Sequence, residues 1–249
     1  MELADSVVIV TGASRGIGRA TAWALGESGA RLGLVARDPQ CLKDLEGKLR
    51  SAAVESLPLP IDLRDPGSAE RIVEAVHDRF GRCDAAISCA GVARWGALLE
   101  QDPGDWREML EVNLIAPLAL AQAITRRYGA KHFRQLVHVS SVAALKPLTG
   151  NGVYAASKAA LRVAGESLRQ ELASLGGALR LTTIVPGLVE TDMTRQLGDS
   201  DAQRRVDELR AKFPFLEPSH VAEAVVWALQ QPHEVVVNEI VLRPTRQPV

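Results

Sequence analysis

Tyr154 and Lys158 are the two side chains whose types and spacing most directly allow proton transfer. They lie four residues apart in a segment that is predicted to be helical from about Asn151, so both side chains lie on one helix face. An unperturbed tyrosine has a pKa of about 10 and is a poor acid or base at neutral pH. A lysine ammonium one turn away favours the phenolate, so we expect Lys158 to lower the pKa of Tyr154.

Ser141 follows an apolar segment, residues 136–139, that is predicted to be a strand. Its hydroxyl could hold a substrate oxygen beside the phenol, which would create a proton-transfer site for an alcohol and the matching carbonyl. A tyrosine and a lysine at this spacing are, however, more often an amphipathic surface pair. The elements that would position these residues therefore decide between the two interpretations.

The amino-terminal segment predicts a phosphate site. Residues 7–10 are apolar and β-branched, which indicates a buried strand, and residues 19–28 are predicted to be helical. The turn between them contains a set of candidate cofactor-binding residues: Gly12, Ser14, Arg15, Gly16, Ile17 and Gly18. Glycines allow a tight turn, and the helix start offers free N–H groups to a phosphate. The alternative is an ordinary turn with a helix cap, but the position directly after a buried strand favours the phosphate site.

Arg37 and Asp38 follow the second predicted strand, residues 31–36. In a dinucleotide-binding fold this position faces the adenosine ribose. Arg37, together with Arg15, would bind a 2′-phosphate and predicts NADP(H) as the cofactor. Asp38 could instead accept the ribose hydroxyls and repel the phosphate, but before Pro39 a helix-capping role is expected.

Predicted strands alternate with predicted helices along the whole chain. This pattern predicts an α/β fold, a single-domain Rossmann-type doubly wound parallel sheet of about seven strands over residues 1–249. Further strands are expected at 54–60, 85–88, 179–185 and 235–242, and a long helix at 106–130 would be bent by Pro117. Residues 188–217 are predicted to form an irregular substrate flap that contains a helix. Ligands in such folds bind at the carboxyl ends of the strands.

Composition restricts the class of protein. The 249 residues are 47% hydrophobic and 24% charged, and the net charge is −1, so neither nucleic acid nor an anionic membrane is expected as a partner. The sequence shows neither a secretory leader nor a membrane-spanning segment, and a cytoplasmic location is the default expectation. Cys41, Cys83 and Cys89 lack metal-ligand spacing, so we expect reduced thiols and no metal.

Over nearly its full length the chain resembles the short-chain dehydrogenase/reductase family, in its NADPH-preferring branch. The resemblance implies that Asn113, Ser141, Tyr154 and Lys158 are the catalytic residues, with Asn113 holding a water in the proton relay. It also implies that Lys158 and Tyr154 contact the cofactor. The remaining residues that it assigns to the cofactor are Asp62, Leu63, Ala90, Gly91, Pro186, Gly187, Val189 and Thr191. One segment differs: Ser88-Cys89-Ala90-Gly91 stands where the family usually has Asn-Asn-Ala-Gly, so Cys89 is either a redox switch or a small buried hydrophobe.

The resemblance implies an NADPH-dependent oxidoreductase that interconverts a carbonyl and an alcohol on a small organic substrate. The alternatives are a 3-oxoacyl carrier-protein reductase and a catalytically silent, cofactor-sensing regulator. By family position, residues 92–95, 145–148 and 188–197 should form an apolar substrate pocket, with Arg94 either an anion anchor or a solvated charge. A homodimer or homotetramer is expected, because apolar side chains are predicted on outer helix faces: Leu118, Ala121, Leu161 and Leu168.

Overall fold

A seven-stranded sheet forms the centre of the computed structural model, which describes residues 1–174, 179–195 and 200–247. The strand order is β3-β2-β1-β4-β5-β6-β7, and all neighbouring strands are parallel. The strands are β1 (Val7–Thr11), β2 (Arg31–Ala36), β3 (Ser56–Pro60), β4 (Ala85–Ser88), β5 (Gln135–Val139), β6 (Arg180–Pro186) and β7 (Glu239–Leu242). The predicted doubly wound parallel sheet is therefore confirmed.

Helices cover both faces of the sheet. They are α1 (Gly16–Glu27), α2 (Pro39–Ser51), α3 (Ser68–Phe80), α4 (Pro103–Leu110), α5 (Ala116–His132), α6 (Gly152–Ser174), α7 (Asp192–Arg195), α8 (Ser200–Lys212) and α9 (Pro218–Gln230). Successive strand residues point to opposite faces. Val8 and Val10 of β1 accordingly pack into one core, and Val7 and Ile9 pack into the other. Burial on both faces explains why β1 is apolar at every one of these positions.

The chain reverses its direction of strand addition beside β1. It first builds β2 and β3 outward on one side of β1, and then returns to place β4 on the other side. The connections that leave β1 and β4 therefore diverge at their carboxyl ends. This divergence opens the crevice in which doubly wound folds bind ligands.

The single helix predicted over residues 106–130 is divided into three helical segments in the structure. Between α4 and α5 lies a π-helical turn, Glu111–Ile115, and Pro117 falls in the first turn of α5. Because proline donates no backbone N–H, the regular helical hydrogen bonding is interrupted where the π-helical turn meets α5. The last strand is also shorter than predicted. Val235 and Val236 are exposed, and pairing with β6 begins at Glu239.

The segment predicted as a flap contains α7 and α8, so the expected helix is present. Phe213 and Phe215 pack with Val206 of α8, and Trp95 from the loop after β4 contacts this cluster. The flap is thus attached to the main body by apolar contacts outside the two central cores. Leu197, which was expected in the substrate pocket, lies outside the described residues. Within the described ranges, no helix combines the length and hydropathy needed to cross a bilayer.

Candidate active site

The glycine-rich turn packs closely against the loop that follows β4. Gly12 has a φ of +68° and Gly16 a φ of +52°, a region that favours glycine. A β-carbon at Gly12 would lie 2.8 Å from the backbone nitrogen of Ala90, and one at Gly18 would overlap the carbonyl oxygen of Gly12. Arg15, the residue before α1, makes no side-chain cap to the helix. The first turn of α1 therefore leaves N–H groups available to an anion.

A cleft of about 540 Å³ opens at the carboxyl ends of β1, β2 and β4. This volume is within the range of small-molecule and cofactor sites. Its lining includes twelve of the predicted cofactor residues: Gly12, Ser14, Arg15, Gly16, Ile17, Gly18, Arg37, Asp62, Leu63, Ala90, Gly91 and Thr191. The other five predicted cofactor residues are not part of this lining: Pro186, Gly187, Val189, Tyr154 and Lys158. The structure thus brings most of the predicted cofactor residues into one cleft.

Arg37 and Asp38 have different environments at the rim. The Asp38 carboxylate accepts hydrogen bonds from the backbone nitrogens of Gln40, at 2.9 Å, and Cys41, at 3.1 Å, and so caps α2 as predicted. The Arg37 side chain is 56% exposed, and its guanidinium lies 3.7 Å from Glu108. Arg37 is therefore free to meet a ligand, whereas Asp38 is used by the helix.

Asp62 lies in an ion pair that the sequence analysis did not anticipate. Arg64 donates from Nε to Oδ1 at 3.0 Å and from Nη2 to Oδ2 at 2.6 Å. This hydrogen bonding by Arg64 lowers the pKa of the Asp62 carboxyl below its usual range. The residue expected at the adenine is therefore ionised and held in one orientation. Asp62 and Arg64 are separated by a single residue, and this short spacing of an acid and a base was a local signal for the pair.

Ser141 and Tyr154 meet beside the end of β5. Ser141 accepts a hydrogen bond from the backbone nitrogen of Ala143, at 3.1 Å, and caps a short 3₁₀ turn. Burial raises the pKa of Tyr154 above its ordinary value, and a hydrogen bond with Ser141 opposes that rise. The expectation that Lys158 lowers this pKa is wrong for the chain alone. Lys158 Nζ donates to the carbonyl oxygen of Val139 at 2.9 Å, and desolvation dominates at the phenol.

Lys158, Asn113 and Gly91 converge behind the tyrosine. Desolvation lowers the pKa of the buried Lys158 to about 8. Asn113, fully buried, donates to the carbonyl oxygen of Val92 at 2.9 Å and to Ser157 Oγ at 3.0 Å, and its Oδ1 accepts from the Val92 nitrogen at 2.9 Å. A β-carbon on Gly91 would lie 3.3 Å from Lys158 Nζ and 3.4 Å from Asn113 Oδ1. Ser141 therefore pairs with Tyr154, Asn113 and Lys158 meet at Gly91, and the two groups are linked by the one helical turn of α6 between Tyr154 and Lys158.

The segment after β6 is held by contacts that the sequence did not predict. The Gly187 nitrogen donates to the carbonyl oxygen of Leu242 at 2.7 Å, and the Leu188 nitrogen donates to Oε1 of Gln247 at 2.9 Å. Val189 forms a bridge with Leu216. Thr191 continues from this segment into the cleft, where its Cγ2 would lie 3.1 Å from a β-carbon on Gly16. Gln247 has no motif around it, so sequence reasoning had no signal for its role.

Comparison with known proteins agrees with this geometry. Residues 6–202 match the family model described as short chain dehydrogenase. The chain belongs to this family. An oxidoreductase of Listeria monocytogenes is 32% identical over 248 residues, which are 100% of both chains.

Two solved structures show the family fold. A metagenomic short-chain oxidoreductase in complex with NADP is 30% identical, with a TM-score of 0.82, over 98% of this chain and 100% of that one. A short-chain dehydrogenase/reductase from Burkholderia phymatum in complex with NAD is 23% identical, with a TM-score of 0.87, over 97% and 90%. The chain is therefore an oxidoreductase of the short-chain dehydrogenase family with a Rossmann-like fold.

Cys89 is a partly buried thiol on the wall of the cleft of this short-chain dehydrogenase. Burial raises its pKa to about 12, so the side chain is a protonated, weakly polar group at neutral pH. This environment agrees with the small-hydrophobe interpretation rather than with a reactive redox switch. Among the described residues, no group of three or more His, Cys, Asp and Glu side chains is arranged to hold a metal.

The expected substrate side has an apolar mouth. Leu145, Leu148 and Met193 are exposed to 40%, 51% and 36%, respectively. Arg94, considered above as an anion anchor, is instead paired with Asp105 at 3.2 Å and Glu108 at 2.6 Å. These ion pairs partly neutralise the arginine and favour the alternative of a charge that holds no substrate, and the anchor role stays a prediction.

Two of the four residues predicted on an oligomer interface are core residues. Ala121 and Leu161 are 3% and 1% exposed within the single chain. Leu118 is partly buried, and Leu168 packs against the core that contains α3 and α5. Their apolar character is therefore explained within the chain. Other side chains on the same helical region, Ile115 and Val163, are 48% and 67% exposed.

Proposed function

We propose that this short-chain dehydrogenase is an NADPH-dependent oxidoreductase that interconverts a carbonyl and a primary or secondary alcohol on a small organic substrate. The observation that carries the proposal is the placement of Tyr154 and Lys158 one turn apart on α6, with Ser141 beside the phenol and with Lys158 and Asn113 both next to Gly91 of the phosphate-suited cleft. A phenol that can exchange a proton with a substrate oxygen is the general acid or base that such a reaction requires.

The cleft fits a nicotinamide dinucleotide. Its glycine turn admits no β-carbon at Gly12 or Gly18, which leaves backbone exposed at the start of α1 for a pyrophosphate. Arg15 and Arg37 would hold a 2′-phosphate, and the adenine would lie near Asp62. Pro186, Gly187, Val189 and Thr191 would hold the carboxamide end, with Ala90, Gly91, Tyr154 and Lys158 along the remaining length. The bound cofactor supplies hydride, and the protein supplies binding and orientation.

The catalytic roles follow from the positions of the four side chains. Tyr154 donates its phenolic proton to the substrate oxygen during reduction and accepts that proton during oxidation. In the chain alone, burial raises its pKa, so the phenol carries its proton at neutral pH and holds the proton that reduction transfers to the substrate oxygen. Ser141 orients the substrate oxygen beside the phenol. Lys158 holds a proton at Nζ and Asn113 supports a water through which that proton is replaced.

The preference for NADPH is supported by charge at the ribose end. Arg37 is exposed, Arg15 approaches from the glycine turn, and Asp38 is engaged as the α2 cap. A 2′-phosphate would therefore meet two cations and no free carboxylate from Asp38. The metagenomic relative with bound NADP supports the same choice.

A panel of aldehydes and ketones with NADPH, followed by absorbance of the reduced nicotinamide, tests the function. We expect turnover with apolar carbonyls. The exposed Leu145 and Leu148 at the mouth would also accept an acyl chain, so the panel includes 3-oxoacyl thioesters on carrier protein and on a short pantetheine mimic. Turnover that requires the carrier protein would establish the alternative, a 3-oxoacyl carrier-protein reductase. Tight NADPH binding without turnover on any carbonyl would establish a cofactor-sensing regulator and contradict the proposal.

A further inference from the structure

Glu108 on α4 is in contact with three arginines from three different loops. Its carboxylate lies 3.7 Å from Arg37, 3.2 Å from Arg64 and 2.6 Å from Arg94. These arginines follow β2, β3 and β4, respectively, so one carboxylate connects the carboxyl ends of three strands. The Glu108 side chain is only 14% exposed. Partial burial reduces solvent screening, so its charge acts on its neighbours more strongly than a surface carboxylate would.

The contact with Arg37 is the weakest of the three. At 3.7 Å it is an ion pair near the outer limit of such contacts, whereas the distance to Arg94 is that of a charge-assisted hydrogen bond. The Arg37 guanidinium is therefore attracted by Glu108 without being fixed by it. Arg37 lines the cleft and Glu108 lies behind the lining. A phosphate that approached from the cleft would contact the Arg37 guanidinium directly. It would also be repelled, over a longer distance, by the negative charge of Glu108.

Asp38 does not have this effect on Arg37. Its Oδ1 accepts two backbone hydrogen bonds at the start of α2, and its Oδ2 contacts the Cys41 thiol. Asp62 also attracts Arg37, but it is hydrogen-bonded to Arg64, and Glu108 is the carboxylate that forms an ion pair with Arg37. A negative charge behind the phosphate-binding arginine has two consequences: it partly neutralises the arginine, and it repels the incoming phosphate.

From this geometry we infer that Glu108 is a specificity-determining residue that limits the preference for the 2′-phosphorylated cofactor. The inference rests on the proposed NADPH function. Neutralising Glu108 removes the ion-pair partner of Arg37, while Arg64 keeps Asp62 and Arg94 keeps Asp105, so binding of a 2′-phosphate should become tighter. Binding of an unphosphorylated ribose should not change, because neither ribose hydroxyl carries a charge.

The test uses 2′,5′-ADP and 5′-AMP, which isolate the adenosine end of the site. Calorimetric titration gives Kd for both compounds with the full chain and with Glu108→Gln. We expect the affinity for 2′,5′-ADP to rise by about three- to thirtyfold, the effect of removing one like charge within about 8 Å of a phosphate in a partly screened site. The affinity for 5′-AMP should change by less than about twofold.

Asp105→Asn is the matched control, because Asp105 pairs with Arg94 alone, at 3.2 Å, on the same helix. It should leave the ratio of the two Kd values unchanged. In the double variant Arg37→Ala with Glu108→Gln the gain should be smaller, because the part that acts through the charge of Arg37 is absent and only the direct repulsion of the phosphate remains. Glu108→Asp, which withdraws the carboxylate by one methylene, should give a smaller gain in the same direction, and it replaces the Gln variant if thermal unfolding shows that the latter does not fold.

Three outcomes are decisive. A larger ratio in Glu108→Gln that depends on Arg37 supports the inference. An unchanged or smaller ratio overturns it, since a smaller ratio would mean that Glu108 orients Arg37 for the phosphate. If the unaltered protein binds 2′,5′-ADP no more tightly than 5′-AMP, the proposed NADPH preference itself fails, and this failure is distinguishable because it appears before any substitution is made.

Discussion

Arg37 is the residue whose replacement should most change cofactor choice. The 2′-phosphate is the only difference between NADPH and NADH, and Arg37 is an exposed cation on the cleft wall. We expect Arg37→Ala to lower kcat/KM for NADPH by one to three orders of magnitude, because charge-assisted bonds to a phosphate are each worth about 1.5–3 kcal/mol before screening. Steady-state kinetics with both cofactors measure this effect, and kcat/KM for NADH should change little.

Arg50→Ala is the control, because Arg50 is an exposed arginine near the end of α2. Equal efficiency with the two cofactors before any substitution would contradict the assignment.

Lys158 is expected to reduce the stability of the fold. Burial lowers its pKa in the folded chain to about 8, from an ordinary value of 10.5, because desolvation disfavours the charged form. This penalty is fully present below about pH 8 and disappears as pH rises through the unfolded value. Replacing Lys158 with Met should therefore raise the free energy of unfolding at pH 7 by about 1–3 kcal/mol, after allowing for the lost hydrogen bond to Val139. The gain should shrink by more than half at pH 9.5. Urea unfolding at the two pH values measures it, and a loss of stability at pH 7 would contradict the burial argument.

The π-helical turn Glu111–Ile115 carries Asn113 and is bonded through it to the loop after β4 and to α6. It places Asn113 inward, where the amide is hydrogen-bonded to Val92 and Ser157. Asn113→Ala should lower the free energy of unfolding by about 2–4 kcal/mol, because buried backbone partners lose their bonds. Calorimetric unfolding measures the loss. Glu111→Ala, in the same turn but exposed, should leave stability within about 0.5 kcal/mol. Equal stability of Asn113→Ala and the unaltered chain would show that the amide is not a structural tie.

The sequence predicts the sheet well because its signals are local. β1 is an unbroken run of β-branched residues followed by a glycine-rich turn. The Asp38-Pro39 pair predicts the start of α2, and in the structure Asp38 caps that helix. The alternation of such segments was sufficient to predict the fold class and the position of the cleft. It was not sufficient to predict that the helix near Pro117 is divided by a π-helical turn, since such a turn has no distinctive residue pattern.

Long-range partners could not be predicted in the same way. Glu108 and Arg64 come from different elements, and their contact depends on how α4 packs over the end of β3. The pKa of Tyr154 was predicted in the wrong direction for a related reason. Helical spacing gives the distance along one face to Lys158, whereas the degree of burial depends on the surrounding loops.

At the scale of the molecule, we expect a dimer or tetramer that buries outer faces of the α4–α5 region and α6. This expectation rests on the exposure of two large apolar side chains, Ile115 and Val163. Exposed apolar surface of this kind often marks an interface between subunits. Light scattering at micromolar concentration should give at least twice the chain mass of 26.8 kDa.

Val163→Glu should shift that mass toward the single chain, because it places a charge in the buried interface. Glu166→Gln, three residues further along α6 and also exposed, is the matched surface control. A single-chain mass for the unaltered protein would contradict the oligomer prediction, and an unchanged mass for Val163→Glu would exclude this face.

The proton-transfer role of Tyr154 depends on every element that meets at the crevice, and Tyr154→Phe tests it most directly. The measurement is the rate of NADPH-linked carbonyl reduction at saturating cofactor, together with Kd for NADPH, for the unaltered protein and for the variant. We expect the rate to fall by at least about a hundredfold, since general acids typically contribute 10²–10⁴-fold, while Kd stays within about twofold because the ring is retained. A variant that kept more than about a tenth of the original rate would contradict the account, because the phenol could then not be the proton donor.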